Sequence, residues 1–70
     1  MVEKSITLTG SSANSIEDAV NLAVGRAAVT IDGIRRVEIL NVSGSVENGA
    51  VASWHVKVQV TFLIQDRLHE

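Results

Sequence analysis

From Val51 to Leu63 the residues alternate without interruption. Trp54, Val56, Val58, Val60 and Phe62 fall on one side, and Ser53, His55, Lys57, Gln59 and Thr61 on the other. A period of two sustained over such a run, rich in β-branched side chains, marks a strand with one buried and one polar face. Such a strand cannot stand alone, because its apolar side needs a covering layer and its edges need pairing partners. Just ahead of it lies Asn48-Gly49, two residues that tolerate positive φ, and Asn-Gly between alternating runs predicts a hairpin. The partner strand is expected over Arg36 to Val46, with Val37 and Ile39 on one face and Arg36, Glu38, Leu40 and Val42 on the other. Gly44 within it marks a bulge or a place where another backbone or a ligand comes close. A further alternating run, Lys4 to Thr9, sets Lys4, Ile6 and Leu8 against Ser5, Thr7 and Thr9, and Gly10-Ser11-Ser12 then reads as a turn.

The covering layer lies between Ser15 and Gly33. Ile16, Ala19, Val20, Ala23, Ala27 and Ile31 recur at helical spacing, and Leu22 and Val29 widen the apolar surface toward a second contact. Ser15 is placed to cap this helix, with Glu17 and Asp18 in its first turn and Asp32-Gly33 as its stop. The element order is β-α-β-β. The chain reads as an α+β fold, a three-stranded antiparallel sheet wrapped around one long helix, and residues 1–70 form one domain without repeats or linkers. The polar tail from Gln65 to Glu70 is expected to fray.

Seventy residues without a cysteine can be stapled neither by disulfides nor by a thiolate metal site. A chain of this size buries only ~60% of the surface its unfolded form exposes. With 46% hydrophobic residues, apolar surface is left over, and self-assembly into a homo-oligomer is the expected remedy. The mixed face carrying Arg36, Glu38, Leu40, Val42, His55 and Lys57 suits a wet interior or a subunit interface.

Other classes are disfavoured. A net charge of −2 with two aromatic residues offers neither a basic stripe nor a stacking platform for nucleic acid. No apolar run approaches the ~20 residues of a membrane span. Met1-Val2-Glu3-Lys4-Ser5 does not resemble a signal peptide, so a cytoplasmic protein is expected. Asn41-Val42-Ser43 matches a glycosylation acceptor and is read as chance in that setting. No serine has a recognisable His–acid partner, and neither the acids nor the two histidines show metal-ligand spacing, so neither an enzyme nor a protein-encoded metal site is expected.

Taken together, Thr9-Gly10-Ser11-Ser12, the run Ala23 to Thr30, Val37-Glu38-Ile39, Gly49-Ala50-Val51 and Val58-Gln59-Val60-Thr61-Phe62 resemble, in order and spacing, the dodecins. These are small flavin-binding proteins whose β-α-β-β protomers assemble into hollow dodecamers with the sheets facing inward. The resemblance runs from Lys4 to about Leu63. It implies binding, storage or sequestration of riboflavin or FMN, with paired flavins stacked between Trp side chains across a two-fold axis and a Gln hydrogen-bonding the ring edge. Here the Trp position is Arg36 and the Gln position is His55, and Trp54 has the wrong parity to substitute.

A guanidinium plane can stack on an aromatic ring, and an imidazole offers a donor and an acceptor, so Arg36 takes the stacking role and His55 the hydrogen-bonding role. Arg36 can equally draw a phosphate, or simply pair with Glu38 or a neighbour's carboxylate, leaving His55 as a polar lumen residue. The resemblance further places Lys4, Ser43 and Ser45 near a flavin phosphate or ribityl chain, and Arg26 with Thr30 near a coenzyme A site. Arg26 reads more simply as a structural ion-pair partner at the helix end. The competing function is a dodecin-type shell that has lost flavin and holds another small anionic, coenzyme A-like ligand, or nothing.

Overall fold

The longest alternating run occupies the centre of the sheet. In this computed structural model, which describes residues 2–64, β1 (Val2–Ser12) is followed by α1 (Ile16–Ala28), β2 (Ile34–Glu47) and β3 (Ala50–Ile64). The sheet is antiparallel in the order β1-β3-β2, so the last strand inserts between the first two. The tail expected to fray, with His69, lies outside the described residues. The hairpin turn forms where Asn-Gly predicts it, with φ of 52° at Asn48 and 78° at Gly49.

Register aligns the apolar sides. Ile6 faces Val60, Leu8 faces Val58 and Gly10 faces Val56 across β1 and β3. On that side α1 packs down, and Ala19, Ala23, Val56, Val58 and Val60 form the buried core, edged by Ile6, Leu8, Ile16, Val20, Val24 and Ile34. Gly10 does not begin a turn: β1 continues through it to Ser12. A Cβ at Gly10 would run into the Ala19 carbonyl and come within 3.1 Å of the Ala23 Cβ. The glycine that reads as a strand breaker is a contact glycine that lets helix and strand touch.

The helix start is tied to that strand. The Asp18 N–H donates to the Ser15 hydroxyl at 2.9 Å, and the Ser12 hydroxyl donates to the Asp18 carboxylate at 2.6 Å while accepting from the Asn14 N–H at 2.9 Å. At the other end α1 stops at Ala28, short of the expected Ile31. The Thr30 and Ile31 N–H groups both turn back to the Ala27 carbonyl, at 3.2 and 3.0 Å, which tightens the last turn and ends the helix early. Gly33 (φ 77°) is therefore no helix cap. It leads into β2, and its carbonyl accepts from the Leu63 N–H at 3.2 Å.

Trp54 lies on the helix side, as its parity requires, but beyond the helix start and only partly buried, outside the core. Gly44 sits opposite it, without a bulge. A Cβ there would lie 3.2 Å from Val51 Cγ1 and 3.5 Å from the Trp54 ring, so close approach is the reason for the glycine. The helix covers β1 and β3 and, past Ile34 at its start, leaves β2 uncovered. Val37, Ile39 and Val42, opposite the buried valines, remain 36–53% exposed, and Leu22 and Val29 on α1 are 53% and 77% exposed. Among the described residues no helix is long and apolar enough to cross a membrane.

Gly10→Ala is expected to destabilise the protomer by about 1–3 kcal/mol, the usual cost of overpacking, or more because the obstacle is backbone. Urea unfolding of the variant beside the parent measures it, and an unchanged midpoint would refute the contact.

Candidate functional site: the open face of the sheet

Opposite the helix the sheet carries a polar face whose composition depends on one inserted residue. Ile39 pairs with Val58 and Asn41 with Lys57, so Leu40 has no partner and forms a bulge. Further register shifts fall between Ile34 and Arg36 and between Ser45 and Val46. One extra residue reverses the alternation of everything after it. Val42, expected beside Arg36 and Glu38, is thereby turned to the helix side opposite Val56, and Leu40 sits at the bulge itself. In exchange Asn41, Ser43 and Ser45 join the open face. A strict period of two would leave the two serines on the helix side.

The result is a cluster centred on His55. Its Nδ1 lies 2.8 Å from the Ser11 hydroxyl on β1, and its Nε2 lies 2.7 Å from the Ser45 hydroxyl on β2. The Ser53 hydroxyl is 3.2 Å from Nε2, and Ser43 stands directly opposite His55 in the register. The imidazole thus links all three strands. Ser11 and Ser53 were not among the expected site residues, although their signal was available. Ser53 shares the parity of His55, and Ser11 continues the series Ser5, Thr7, Thr9 once β1 is allowed to run past Gly10.

Arg36 lies on the same face, opposite Thr61, at the other end of the sheet. Its guanidinium approaches the Glu3 carboxylate at 3.6 Å, with both side chains about half exposed. Its partner is Glu3, not Glu38, because the open face carries the long side chain across β3 to the opposite edge strand. An exposed pair of this kind contributes less than about 1 kcal/mol. Lys4 pairs with Phe62 and so belongs to the helix side of the sheet, apart from Arg36 and His55. Arg26 is exposed in the last turn of α1, and Thr30 follows in the loop. Among the described residues no carboxylate pairs with Arg26, since the helix acids Glu17 and Asp18 sit at the other end. The helix C-terminus is itself a favourable place for a cation. Among the described residues no three His, Asp or Glu side chains converge in a group that could hold a metal ion.

This fold has known counterparts. The dodecin family model matches residues 2–65, nearly the whole sequence. The chain belongs to the dodecin family. The tt0972 protein of Thermus thermophilus is 26% identical, with a TM-score of 0.89, covering 93% of this chain and 96% of that one. A dodecin from Streptomyces coelicolor is 29% identical with a TM-score of 0.87, covering 93% of both chains. The calcium-chelating immunodominant antigen of Mycobacterium tuberculosis, a calcium dodecin, is 27% identical with a TM-score of 0.81 over 100% of both. No curated protein matches the sequence significantly. Family membership makes this dodecin a small binding protein and leaves the identity of its ligand to the chemistry of the open face.

If His55 clamps the strands, Ser45→Ala and His55→Ala each destabilise the dodecin by about 0.5–1.5 kcal/mol, and the double variant falls short of their sum. A double-mutant cycle in urea tests this, and strict additivity would remove the clamp.

Proposed function

We propose that this dodecin binds and sequesters a flavin, riboflavin or FMN, on the open face of its sheet, inside a homo-oligomeric shell, without catalysing a reaction. The observation that carries the reading is the position of Arg36. It is a planar cation on the open side of a dodecin sheet, held among the described residues by a loose 3.6 Å contact to Glu3 that a ring can displace. His55 supplies the hydrogen-bonding edge, and Ser43 and Ser45 line the same face for a ribityl chain or phosphate. Lys4, on the edge strand, reaches such a ligand only around that edge. The Nδ1 of His55 meets the Ser11 hydroxyl and, among the described residues, no carboxylate of the kind that orients the histidine of a hydrolytic triad.

The shell reading rests on the bare β2 flank. Val37, Ile39 and Val42, with Leu22 and Val29 of α1, offer apolar surface that further copies would bury, and a dodecamer is the assembly this family favours. A cytoplasmic location accompanies this reading.

A second reading has its own support. Both aromatic residues, Trp54 and Phe62, lie on the helix side, and both ring nitrogens of His55 are engaged by serines of the same protomer. A face without a stacking ring suits a shell that has lost flavin and holds a small anionic ligand, with a coenzyme A-like molecule at Arg26 and Thr30 as one form.

Fluorescence titration separates the two. Flavin emission that quenches and saturates at a fixed ratio per protomer supports the first reading, and full emission at high protein excess sinks it. Arg36→Trp combined with His55→Gln is expected to tighten flavin binding by at least about tenfold, the equivalent of one good stacking contact. Light scattering of the parent checks the shell, since a stable monomer is incompatible with it.

A further inference from the structure

We infer that Asn48 is a site of spontaneous covalent modification, where the chain loses an amide and gains an isoaspartyl link at the tip of the β2–β3 hairpin. The inference concerns the hairpin alone and is independent of what the open face binds.

In this reaction the Gly49 backbone nitrogen, having given its proton to hydroxide, attacks Cγ of Asn48. The N–Cγ bond forms, the Cγ–Nδ2 bond breaks, and the leaving nitrogen takes a proton from water and departs as ammonia. Water then opens the five-membered imide at either carbonyl. One opening gives aspartate with the original main chain, and the other gives isoaspartate, with the chain routed through Cβ and Cγ. In sum one water is consumed and one ammonia released, with no change of oxidation state.

The attacking nitrogen must be free of the ladder and unshielded by a side chain. Gly49 meets both conditions. The turn closes through Glu47 and Ala50, which leaves the Gly49 N–H outside the ladder, and a Cβ built on Gly49 would meet nothing within 4 Å. The nitrogen reaches Cγ only when Asn48 turns out of its left-handed conformation, φ 52°, so the turn must open.

The architecture makes that opening easy. β1 ends at Ser12, opposite Trp54, and beyond that row only β2 and β3 pair. The register shift after Ser45↔Ser53 leaves Ala52 without a partner, so the rows Val46↔Val51 and Glu47↔Ala50 alone hold the turn. The residues of both rows are exposed, and none belongs to the core under α1. A two-stranded arm with no covering layer lies at the low end of local stability.

The other asparagines are shielded. The residue after Asn14 is the helix cap Ser15, whose N–H lies 3.5 Å from the Ser12 hydroxyl. Asn21 and its follower Leu22 sit inside α1, and Asn41 precedes β-branched Val42, paired with Val56 of the central strand.

The two products act differently. Aspartate keeps the main chain and tolerates the left-handed turn, adding a charge beside Glu47. Isoaspartate lengthens the main chain by a carbon atom, which a two-residue turn cannot accommodate. The two rows behind it then separate, and the loosening reaches Ser45, whose hydroxyl lies 2.7 Å from His55 Nε2.

The test is ageing of the assembled protein at mildly alkaline pH, followed by tryptic peptide mapping. Cleavage after Arg36 and Lys57 leaves Asn41 and Asn48 in one peptide, so each molecule carries its own control. Fragmentation is expected to find the amide-to-acid mass gain at Asn48 and an intact amide at Asn41. The rate at Asn48 should fall within about tenfold of that in the urea-unfolded chain, because so short an arm opens at little cost. Isoaspartyl methyltransferase should label the aged parent and spare aged Asn48→Gly, a variant that keeps the positive-φ turn. Amide exchange across Val46–Val51 should quicken at least about tenfold in the labelled protein and remain at the fresh parent's level in Asn48→Asp. Equal conversion of Asn41 and Asn48, or a folded-state rate more than about tenfold below the unfolded one, overturns the site. Unchanged exchange in protein that carries the label overturns the loosening.

Discussion

Where α1 crosses β1, the strand presents Gly10 and the helix presents Ala19 and Ala23, and no side chain larger than a methyl group separates the two backbones. That close approach fixes the depth at which the helix sits. It brings the small face of α1 onto Val56, Val58 and Val60, which are fully buried. Each such valine contributes about 1.5–3 kcal/mol relative to exposure, so three of them, on the central strand, supply much of what a chain this short can gain from burial. The Ser12–Asp18 and Ser15 hydrogen bonds hold the helix start in the same place.

A helix seated over β1 and β3 cannot also cover β2. Val37, Ile39 and Val42 of β2 on that side are left exposed, as are Leu22 and Val29 of α1. The same packing that stabilises the protomer therefore creates the surface that calls for further copies. It also decides which side of the sheet stays open, because the helix occupies the other side and leaves the polar face uncovered. Trp54 and Phe62 lie on the occupied side. The open face is consequently built from hydroxyls, an imidazole and charges.

Within that face the Leu40 bulge has the largest consequence. Without it Ser43 and Ser45 would point to the helix side, Val42 would join the open face, and His55 would lose its partner on β2. One unpaired residue converts an irregular mixture of charge and aliphatics into a coherent polar surface, with His55 joining all three strands.

Much of this was legible in the amino-acid order. Alternation in Val51–Leu63, Asn48-Gly49, the capping Ser15 and the stripe through Ala19 and Ala23 are local signals. They determined the β-α-β-β order, the hairpin, the helix start and the buried valine row, because strand and helix periodicity act over a few neighbouring residues. The parity of Trp54, and of Arg36 with His55, was readable for the same reason. Three things were decided only in the tertiary structure. Gly10 stays within a strand because a helix distant in sequence passes over it. Leu40 bulges because β2 must match the register of β3 on both sides of it, which no local pattern announces. Ser11, Ser45 and His55 meet because β3 inserts between β1 and β2, and contacts across 44 and 10 residues follow from strand order. Periodicity assigns residues to faces, whereas only pairing between distant strands decides which faces, and which side chains, come together.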